Sequence, residues 1–186
     1  MELFQYGGRR RLFPVHLKCP HLPGRQLRNL AALTRIPPPV ETACVNKGLV
    51  AQASITIDAS SADVWSALVT PAAIKQYMFG TNVMSTWKEG SPIVWKGEWQ
   101  GKTYEDKGVI LQFEPERVLQ YSHFSPLSGL PDTPQSYHTV TLQLTAEGGR
   151  TRVVLSQDNN PTEKAREHSE ENWGMMLAAL KQFVEG

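Results

Sequence analysis

Residues 160–185 read NPTEKAREHSEENWGMMLAALKQFVE, and this stretch decides the fold. The opening Asn-Pro-Thr introduces a helix that continues to about Glu185, because apolar residues recur after it at spacings of three and four. The first half of this helix is polar, so only its second half is expected to be deeply buried. The apolar positions are Trp173, Met176, Leu177, Leu180, Phe183 and Val184.

In residues 82–158, which precede the helix, apolar and polar residues alternate with a period of two. Turn-forming residues interrupt this stretch at four places, which predicts about six strands joined by turns. The alternation is clearest in residues 135–146, where one face of the strand is expected to point into the core. That face carries His138, Val140, Leu142 and Leu144.

Residues 49–71 complete the order of elements. Residues 49–57 alternate as a half-buried strand does, Ser60 caps a helix, and Pro71 starts a second short helix. The strands that follow need cover on one face, and only the C-terminal helix is long enough to supply it. The sequence therefore predicts an α+β domain in which an antiparallel sheet of about seven strands packs around one long helix. Any space that the lining side chains leave between them becomes a ligand pocket.

Residues 1–48 differ from the rest of the chain in charge and composition. Residues 1–49 contain eight basic residues against two acidic ones, a net charge of +6, whereas residues 50–186 carry −5. The same N-terminal stretch holds both cysteines and six of the 13 prolines, and it shows no sustained helix or strand period. We therefore predict a basic, proline-rich, disordered extension over residues 1–48 and one domain over residues 49–186.

Several origins can be weighed for this extension. A secretory or twin-arginine signal is disfavoured because prolines, histidines and a lysine interrupt the apolar region that should follow Phe13. An organellar transit peptide fits the Arg-rich, acid-poor composition better, and an alternative start site near residues 45–48 would make much of the extension an upstream artefact. Zinc binding is disfavoured because the candidate ligands lack paired spacing. These ligands are His16, Cys19, His21 and Cys44.

The composition argues against several classes of protein. With 19 Lys and Arg against 18 Asp and Glu, the formal net charge is +1, which disfavours a nucleic-acid partner. No apolar run approaches the roughly 18 residues that span a bilayer, so no membrane span is expected. Residues 50–186 contain no cysteine, which suits the reducing cytoplasm. An organelle is the alternative location if the extension is a transit peptide.

Five motifs of the domain resemble those of a known superfamily. They are ITIDASSADVWSAL at 55–68, Thr70-Pro71, GVILQFEP at 108–115, RVLQYSH at 117–123 and the closing stretch 172–180. In this order and spacing they resemble the START-like helix-grip superfamily, also called SRPBCC, in the branch similar to the C-terminal domain of the Aha-type activator of the heat-shock-protein-ninety ATPase. The resemblance implies a helix-grip fold with a curved sheet. Because the branch includes chaperone activators, polyketide cyclases and lipid carriers, it does not by itself imply one function.

The domain contains no recognisable metal site, P-loop, dinucleotide fingerprint or nucleophile elbow, so neither a metal nor a cofactor is expected. The candidate ligand-binding residues lie on the strand faces and the helix stripe that are expected to point inward. Aromatic and methionine side chains at such positions serve equally well as plain core. The candidates are Trp95, Trp99, Leu119, Tyr121, His123, His138, Val140, Leu142, Trp173, Met176 and Leu180.

His123 and Tyr121 are the weak candidates for catalysis, because they share one strand face. An imidazole in this position can anchor a ligand or act as an acid or base near neutral pH, and a structural histidine is the alternative. Glu105 and Asp106 are neighbours on a strand, so they point to opposite faces and are expected to be solvated charges. Residues 125–132 form a long loop near the expected cavity entrance, either as an ordinary surface loop or as a lid.

The sequence therefore predicts non-catalytic binding of a small hydrophobic molecule, lipid-like or polyketide-like, between the sheet and the C-terminal helix. One alternative is a cyclase-like or dehydratase-like enzyme that uses His123. Another is a protein-interaction module similar to the chaperone activator, with a chaperone or another protein as its partner. The domain lacks the separate N-terminal domain of that activator, which disfavours this last interpretation.

Overall fold

The computed structural model describes residues 48–99 and 101–186, so the predicted extension up to residue 47 lies outside the described residues, as does Gln100. Seven strands and three α-helices follow one another in the predicted order. They are β1 (Leu49–Ile57), α1 (Ser61–Val69), α2 (Pro71–Tyr77), β2 (Asn82–Ser85), β3 (Pro92–Trp99), β4 (Lys102–Glu114), β5 (Val118–His123), β6 (His138–Glu147), β7 (Arg150–Asn160) and α3 (Glu163–Glu185). Two short 3-10 turns, Pro126–Ser128 and Pro134–Ser136, lie between β5 and β6.

The seven strands form one antiparallel sheet in the order β1-β7-β6-β5-β4-β3-β2. Strands β2 to β7 pair with their sequence neighbours, as in a meander, and β1 joins the sheet beside β7. The sheet is curved and α3 packs against it, so the predicted helix-grip α+β fold is confirmed. Strands β1 and β2 are its two edges.

Side-chain caps fix where the helices begin. The Ser60 hydroxyl accepts a hydrogen bond from the backbone N–H of Asp63 at 3.2 Å, as the sequence predicts. The Asp63 carboxylate accepts in return from the Ser60 hydroxyl at 2.6 Å, rather than from a backbone amide. Thr162 caps α3 in the same way, accepting from the N–H of Ala165 at 3.1 Å. Each cap satisfies one of the N–H groups that a helix start leaves free.

Gly108 allows β4 and β5 to approach closely. A Cβ atom at this position would lie 1.6 Å from the carbonyl oxygen of Ser122, so no larger residue fits without a shift of the backbone. The pairing continues beyond it through two backbone hydrogen bonds between Lys107 and Phe124, of 3.0 and 2.8 Å. This extension of the ladder brings the side chain of Asp106 next to that of His123.

Helix α3 contacts edge strand β1 more than any other strand, and we call this contact the β1–α3 seam. Glu170 Oε1 accepts from the backbone N–H of Gln52 at 3.1 Å, and Glu185 Oε1 accepts from that of Asp58 at 2.6 Å. These backbone bonds are the main reason why the pKa of each glutamate lies below its ordinary value. The helix thus occupies backbone groups at an edge that would otherwise be free to pair with another chain.

A buried hydrogen-bond network, which we call the seam network, joins β7 to α3. Trp173 Nε1 donates to Gln157 Oε1 at 2.8 Å, and Gln157 Nε2 donates to Asn160 Oδ1 at 3.1 Å. Ser169 Oγ donates to the same Asn160 oxygen at 3.0 Å. The Asn160 amide in turn donates to the carbonyl of Leu49 at 2.9 Å. The polar side chains of the seam network are therefore paired with one another.

The hydrophobic core lies between the sheet and the three helices, and every strand except β2 contributes two or more residues to it. Only the second half of α3 is buried, at Met176, Leu177 and Leu180, as its sequence predicts. In the described part of the chain, no helix has the length and hydrophobicity needed to cross a membrane.

Candidate functional site

A small cavity lies inside the core, between the inner face of the sheet and the helices. Its volume is about 30 Å³. This is room for one or two water molecules, far less than the roughly 300–1,000 Å³ of a typical ligand pocket. The protein's own side chains therefore fill most of the space between the sheet and α3. They are Leu68, Ile74, Tyr77, Met78, Trp87, Ile93, Trp95, Leu119, Tyr121, Leu142, Trp173 and Met176.

The structure sorts the predicted binding residues into three groups. Val140 and Leu180 are fully buried core residues that do not line the cavity. His123 and His138 lie beside the cavity, and the side chain of Trp99 lies outside what the structure describes. The predicted residues that do line it are Trp95, Leu119, Tyr121, Leu142, Trp173 and Met176.

Half of the lining residues were not among the predicted ones. Helices α1 and α2 supply several of them, and the period of these helices does mark the positions as buried. The sequence pattern does not show which part of the sheet the two helices cover, so it gives no reason to assign them to a cavity. The residues added by the structure are Leu68, Ile74, Tyr77, Met78, Trp87 and Ile93.

Two tyrosine hydroxyls and the indole N–H groups of three tryptophans are the polar groups of this largely apolar lining. Burial raises the pKa of both Tyr77 and Tyr121, and the proximity of Tyr121 raises that of Tyr77 further. Both are therefore neutral phenols near pH 7. Neither hydroxyl forms a hydrogen bond with any other described residue, although Trp95 packs on the Tyr121 ring at 5.0 Å. Each phenol thus keeps a free donor and acceptor beside the cavity.

Asp106 and His123 form a half-buried pair next to this lining. His123 Nε2 lies 3.2 Å from Asp106 Oδ2, and the two side chains are 23% and 16% exposed. The expectation of a solvated charge is therefore wrong for Asp106. Strand alternation turns it to the inner face, where it meets His123. The expectation holds for Glu105, which points outward and pairs with Lys96 at 2.9 Å.

One oxygen of this carboxylate has no partner. Asp106 Oδ1 is buried, and no donor among the described residues reaches it. An unpaired buried acceptor costs about 1–3 kcal/mol, more when it is charged. Asp106 therefore retains the capacity to accept one further hydrogen bond.

His138 lies directly opposite His123 on the neighbouring strand, and their rings stack with centroids 6.5 Å apart. His138 Nδ1 lies 2.9 Å from the carbonyl oxygen of Asp158, which can only accept, so Nδ1 carries the proton. Burial is the main cause that lowers the pKa of His138, which keeps the ring neutral near pH 7 and leaves a lone pair on Nε2. We call Asp106, His123 and His138 the histidine cluster.

The loop after β5 lies away from the cavity. The ring of Tyr137 stacks on Phe124 at 5.1 Å, and its hydroxyl donates to Asp132 at 2.8 Å. Lys107 forms an ion pair with the same carboxylate. Phe124 directly follows His123, and Lys107 directly follows Asp106. Because neighbouring strand residues point to opposite faces, and His123 and Asp106 point inward, Phe124 and Lys107 point outward. Their contacts therefore hold the loop against the outer face of the sheet. None of residues 125–132 lines the cavity.

Within the described residues, no group of three or more His, Cys, Asp or Glu side chains could hold a metal ion. The histidine cluster offers acceptor atoms instead. Together with the tyrosine hydroxyls, it can position a small molecule through hydrogen bonds or move a proton at His123.

Comparison with known proteins gives consistent results. The family model for activator of Hsp90 ATPase homolog 1-like proteins matches residues 58–185. The solution structure of a Cytophaga hutchinsonii protein is 60% identical in sequence, with 74% of this chain and 94% of that chain covered and a TM-score of 0.66. No curated protein matches the chain.

Two further solved structures share the fold alone. One is the Aha1 dimer from Colwellia psychrerythraea, with 20% identity, coverage of 74% of this chain and 96% of that chain, and a TM-score of 0.58. The other is CalU16 from Micromonospora echinospora, with 24% identity, coverage of 73% and 83%, and a TM-score of 0.56. At these identities the likeness extends to architecture and carries no activity.

Proposed function

The chain belongs to the family of activator of Hsp90 ATPase homolog 1-like proteins, and from this premise we propose that it binds a small hydrophobic molecule, lipid-like or polyketide-like, between the sheet and α3. The observation that supports this most is that Tyr77 and Tyr121 line a largely apolar cavity while no hydrogen bond from the described chain reaches their hydroxyls. A bound molecule with an apolar body and a polar group would satisfy both features. Since residues 50–186 contain no cysteine, the proposed site of action is the cytoplasm.

Binding requires the cavity to expand, because about 30 Å³ is too small for a ring system. Two methionines, Met78 and Met176, lie in the lining, and methionine adapts its shape at little cost. The apolar area that a ligand buries stabilises the expanded state by about 25 cal/mol per Å². We therefore propose that the ligand selects an expanded state of the lining, which the free protein populates less.

Neighbouring methionines allow a matched test of the site. Met176 is 8% exposed and lines the cavity, whereas Met175 is 40% exposed and points outward. Naphthalene serves as a probe without hydrogen-bonding groups. At a tenfold excess over its dissociation constant it should raise the free energy of unfolding of the wild type by about 1.4 kcal/mol. Met176→Phe should abolish this gain by filling the cavity, and Met175→Phe should retain it.

Chemical denaturation with and without naphthalene measures these gains. Equal gains in both variants would place the probe on the surface and contradict binding in the cavity. A wild type that no apolar probe stabilises, across a size series from benzene to a fatty acid, would overturn the proposed function.

A second candidate is an enzyme of the cyclase or dehydratase type, which the Asp106–His123 pair favours. The carboxylate orients the imidazole beside the Trp95 ring, as in sites where histidine transfers a proton. If such an enzyme acts on a polyketide-like substrate, His123→Gln should lower its rate by roughly 10²–10⁴ while binding changes little. If the wild type binds cyclisable substrates but does not convert them, only the carrier function remains.

A further inference from the structure

The histidine cluster presents two free acceptor atoms. Asp106 Oδ1 is buried without a partner among the described residues. The Nε2 lone pair of His138 is free because Nδ1 donates to Asp158, and no hydrogen bond from the described residues reaches that Nε2. His123 Nε2 lies 3.2 Å from the other oxygen of Asp106 and holds the carboxylate in place.

The cluster adjoins the cavity through two aromatic lining residues. The His123 ring packs edge-on against Trp95 at 5.2 Å, and Trp95 packs against Tyr121 at 5.0 Å. Both of these residues line the cavity, and Tyr121 lies on the same strand face as His123. The cluster therefore lies directly behind two residues of the cavity wall, Trp95 and Tyr121.

We propose that the histidine cluster anchors the ligand by accepting hydrogen bonds from it, and that the ligand class is a neutral aromatic molecule bearing a phenolic hydroxyl. This inference rests on the proposed function, because the cavity must hold the aromatic body. The cluster then supplies the specificity that an apolar lining alone does not provide.

The charges around the cluster favour a neutral donor. A carboxylate or phosphate would face the Asp106 carboxylate, whose buried oxygen has no donor partner among the described residues, so an anion is disfavoured by repulsion. The Asp106 carboxylate already pairs with His123, and an ammonium group would also have to lose its hydration against an apolar lining. A phenol donates one hydrogen bond and places its ring among Trp95, Tyr121 and Trp173.

A matched pair of probes tests this inference. The compounds 2-naphthol and 2-methoxynaphthalene have the same ring system, but only the first can donate a hydrogen bond. In the wild type, titration followed by NMR should show binding of 2-naphthol about tenfold tighter, the factor that corresponds to roughly 1.4 kcal/mol for one hydrogen bond to a charged or strongly accepting group. Asp106→Asn and His123→Gln should remove most of this preference.

Glu105→Gln is the matched control, since it removes one carboxylate from the adjacent position on the opposite face of the same strand. This variant should keep the tenfold preference. A folded spectrum is required of each variant. Should Asp106→Asn fail to fold, the wild type still provides a test, because 2-naphthol should shift the side-chain ¹⁵N signals of His123 and His138 and the ether should not.

The outcomes separate this inference from the proposed function. Equal affinity of the wild type for both probes, or a preference that persists in folded Asp106→Asn and His123→Gln, would overturn the inference and leave the cavity site intact. Unshifted histidine ¹⁵N signals at saturating 2-naphthol would overturn it as well. If neither probe binds at all, both the inference and the proposed function fail.

Discussion

The seam network and the cavity wall treat their polar groups in opposite ways. In the seam network, Gln157, Asn160 and Ser169 are bonded to one another, and Trp173 donates to Gln157. In the wall, no hydrogen bond from the described residues reaches the Tyr77 and Tyr121 hydroxyls, and beside the wall one oxygen of Asp106 is buried without a partner. An unpaired buried polar group destabilises a fold by about 1–3 kcal/mol, whereas a paired one does not. The seam therefore holds the fold together, and the wall keeps bonding capacity for another molecule.

The largest expected effect comes from the apolar part of α3 behind the seam. Leu180 is fully buried in the core, so Leu180→Ala should lower the free energy of unfolding by about 2–5 kcal/mol through lost burial and the cavity it leaves. Urea denaturation measures the loss. Gln182→Ala, at an exposed position of the same helix, should change stability by less than about 0.5 kcal/mol. A loss below about 1 kcal/mol for Leu180→Ala would show that α3 does not anchor the sheet.

A smaller loss is expected when the seam network is broken. Gln157→Leu removes the partner of Trp173 Nε1 and one of the two donors to Asn160 Oδ1, so the Trp173 N–H is left unpaired while Ser169 still donates to Asn160. The expected cost is about 1–3 kcal/mol. Equilibrium unfolding of this variant beside the wild type provides the measurement. Unchanged stability would mean that the network is as dispensable as the unpaired wall groups, and the comparison between the two regions would lose its basis.

The pH dependence of stability should report the burial of His138. Its pKa is lower in the folded protein than the ordinary value near 6.5, mainly because of burial. Between the folded value and 6.5 the unfolded chain binds a proton here that the native state does not, so stability falls as the pH is lowered through this window. His138→Gln, which can still donate to Asp158, should flatten the fall. Parallel stability curves for the two proteins from about pH 7 to 5 would contradict this account.

The smallest effect is expected at the cavity wall itself. Tyr121→Phe removes a hydroxyl that has no bond to lose, so stability should change by less than about 0.5 kcal/mol or rise slightly. Thermal unfolding without ligand measures the change. A loss of more than about 1 kcal/mol would reveal a structural hydrogen bond at this hydroxyl, and the wall would then resemble the seam.

The fold could be predicted from the sequence because its signals are local. The alternation in residues 49–57 gives β1 with its observed bounds, and Asn160-Pro161-Thr162 marks the start of α3, which Thr162 caps. The inward face predicted for β6 is also the observed one, with Val140, Leu142 and Leu144 buried. Each of these patterns depends on residues within a few positions of one another.

The site depends on contacts between distant residues, and the sequence predicts it only in part. Alternation places Asp106 on one face of β4, but nothing local identifies His123, 17 residues later, as its partner. Their contact follows from the close approach at Gly108. The volume of the cavity depends on how Trp87 and Trp173 pack, which a period of apolar residues does not determine.

Binding in the cavity is tested by locating the contacts of an apolar ligand on the protein. Isotope-filtered NOE spectra of ¹³C-methyl-labelled wild type with naphthalene identify these contacts. Binding in the cavity predicts NOEs from the ligand to the methyl groups of Leu119, Leu142 and Met176, which line the cavity. NOEs confined to exposed methyl groups such as those of Met175 or Leu127 would contradict it, as would none at saturating ligand.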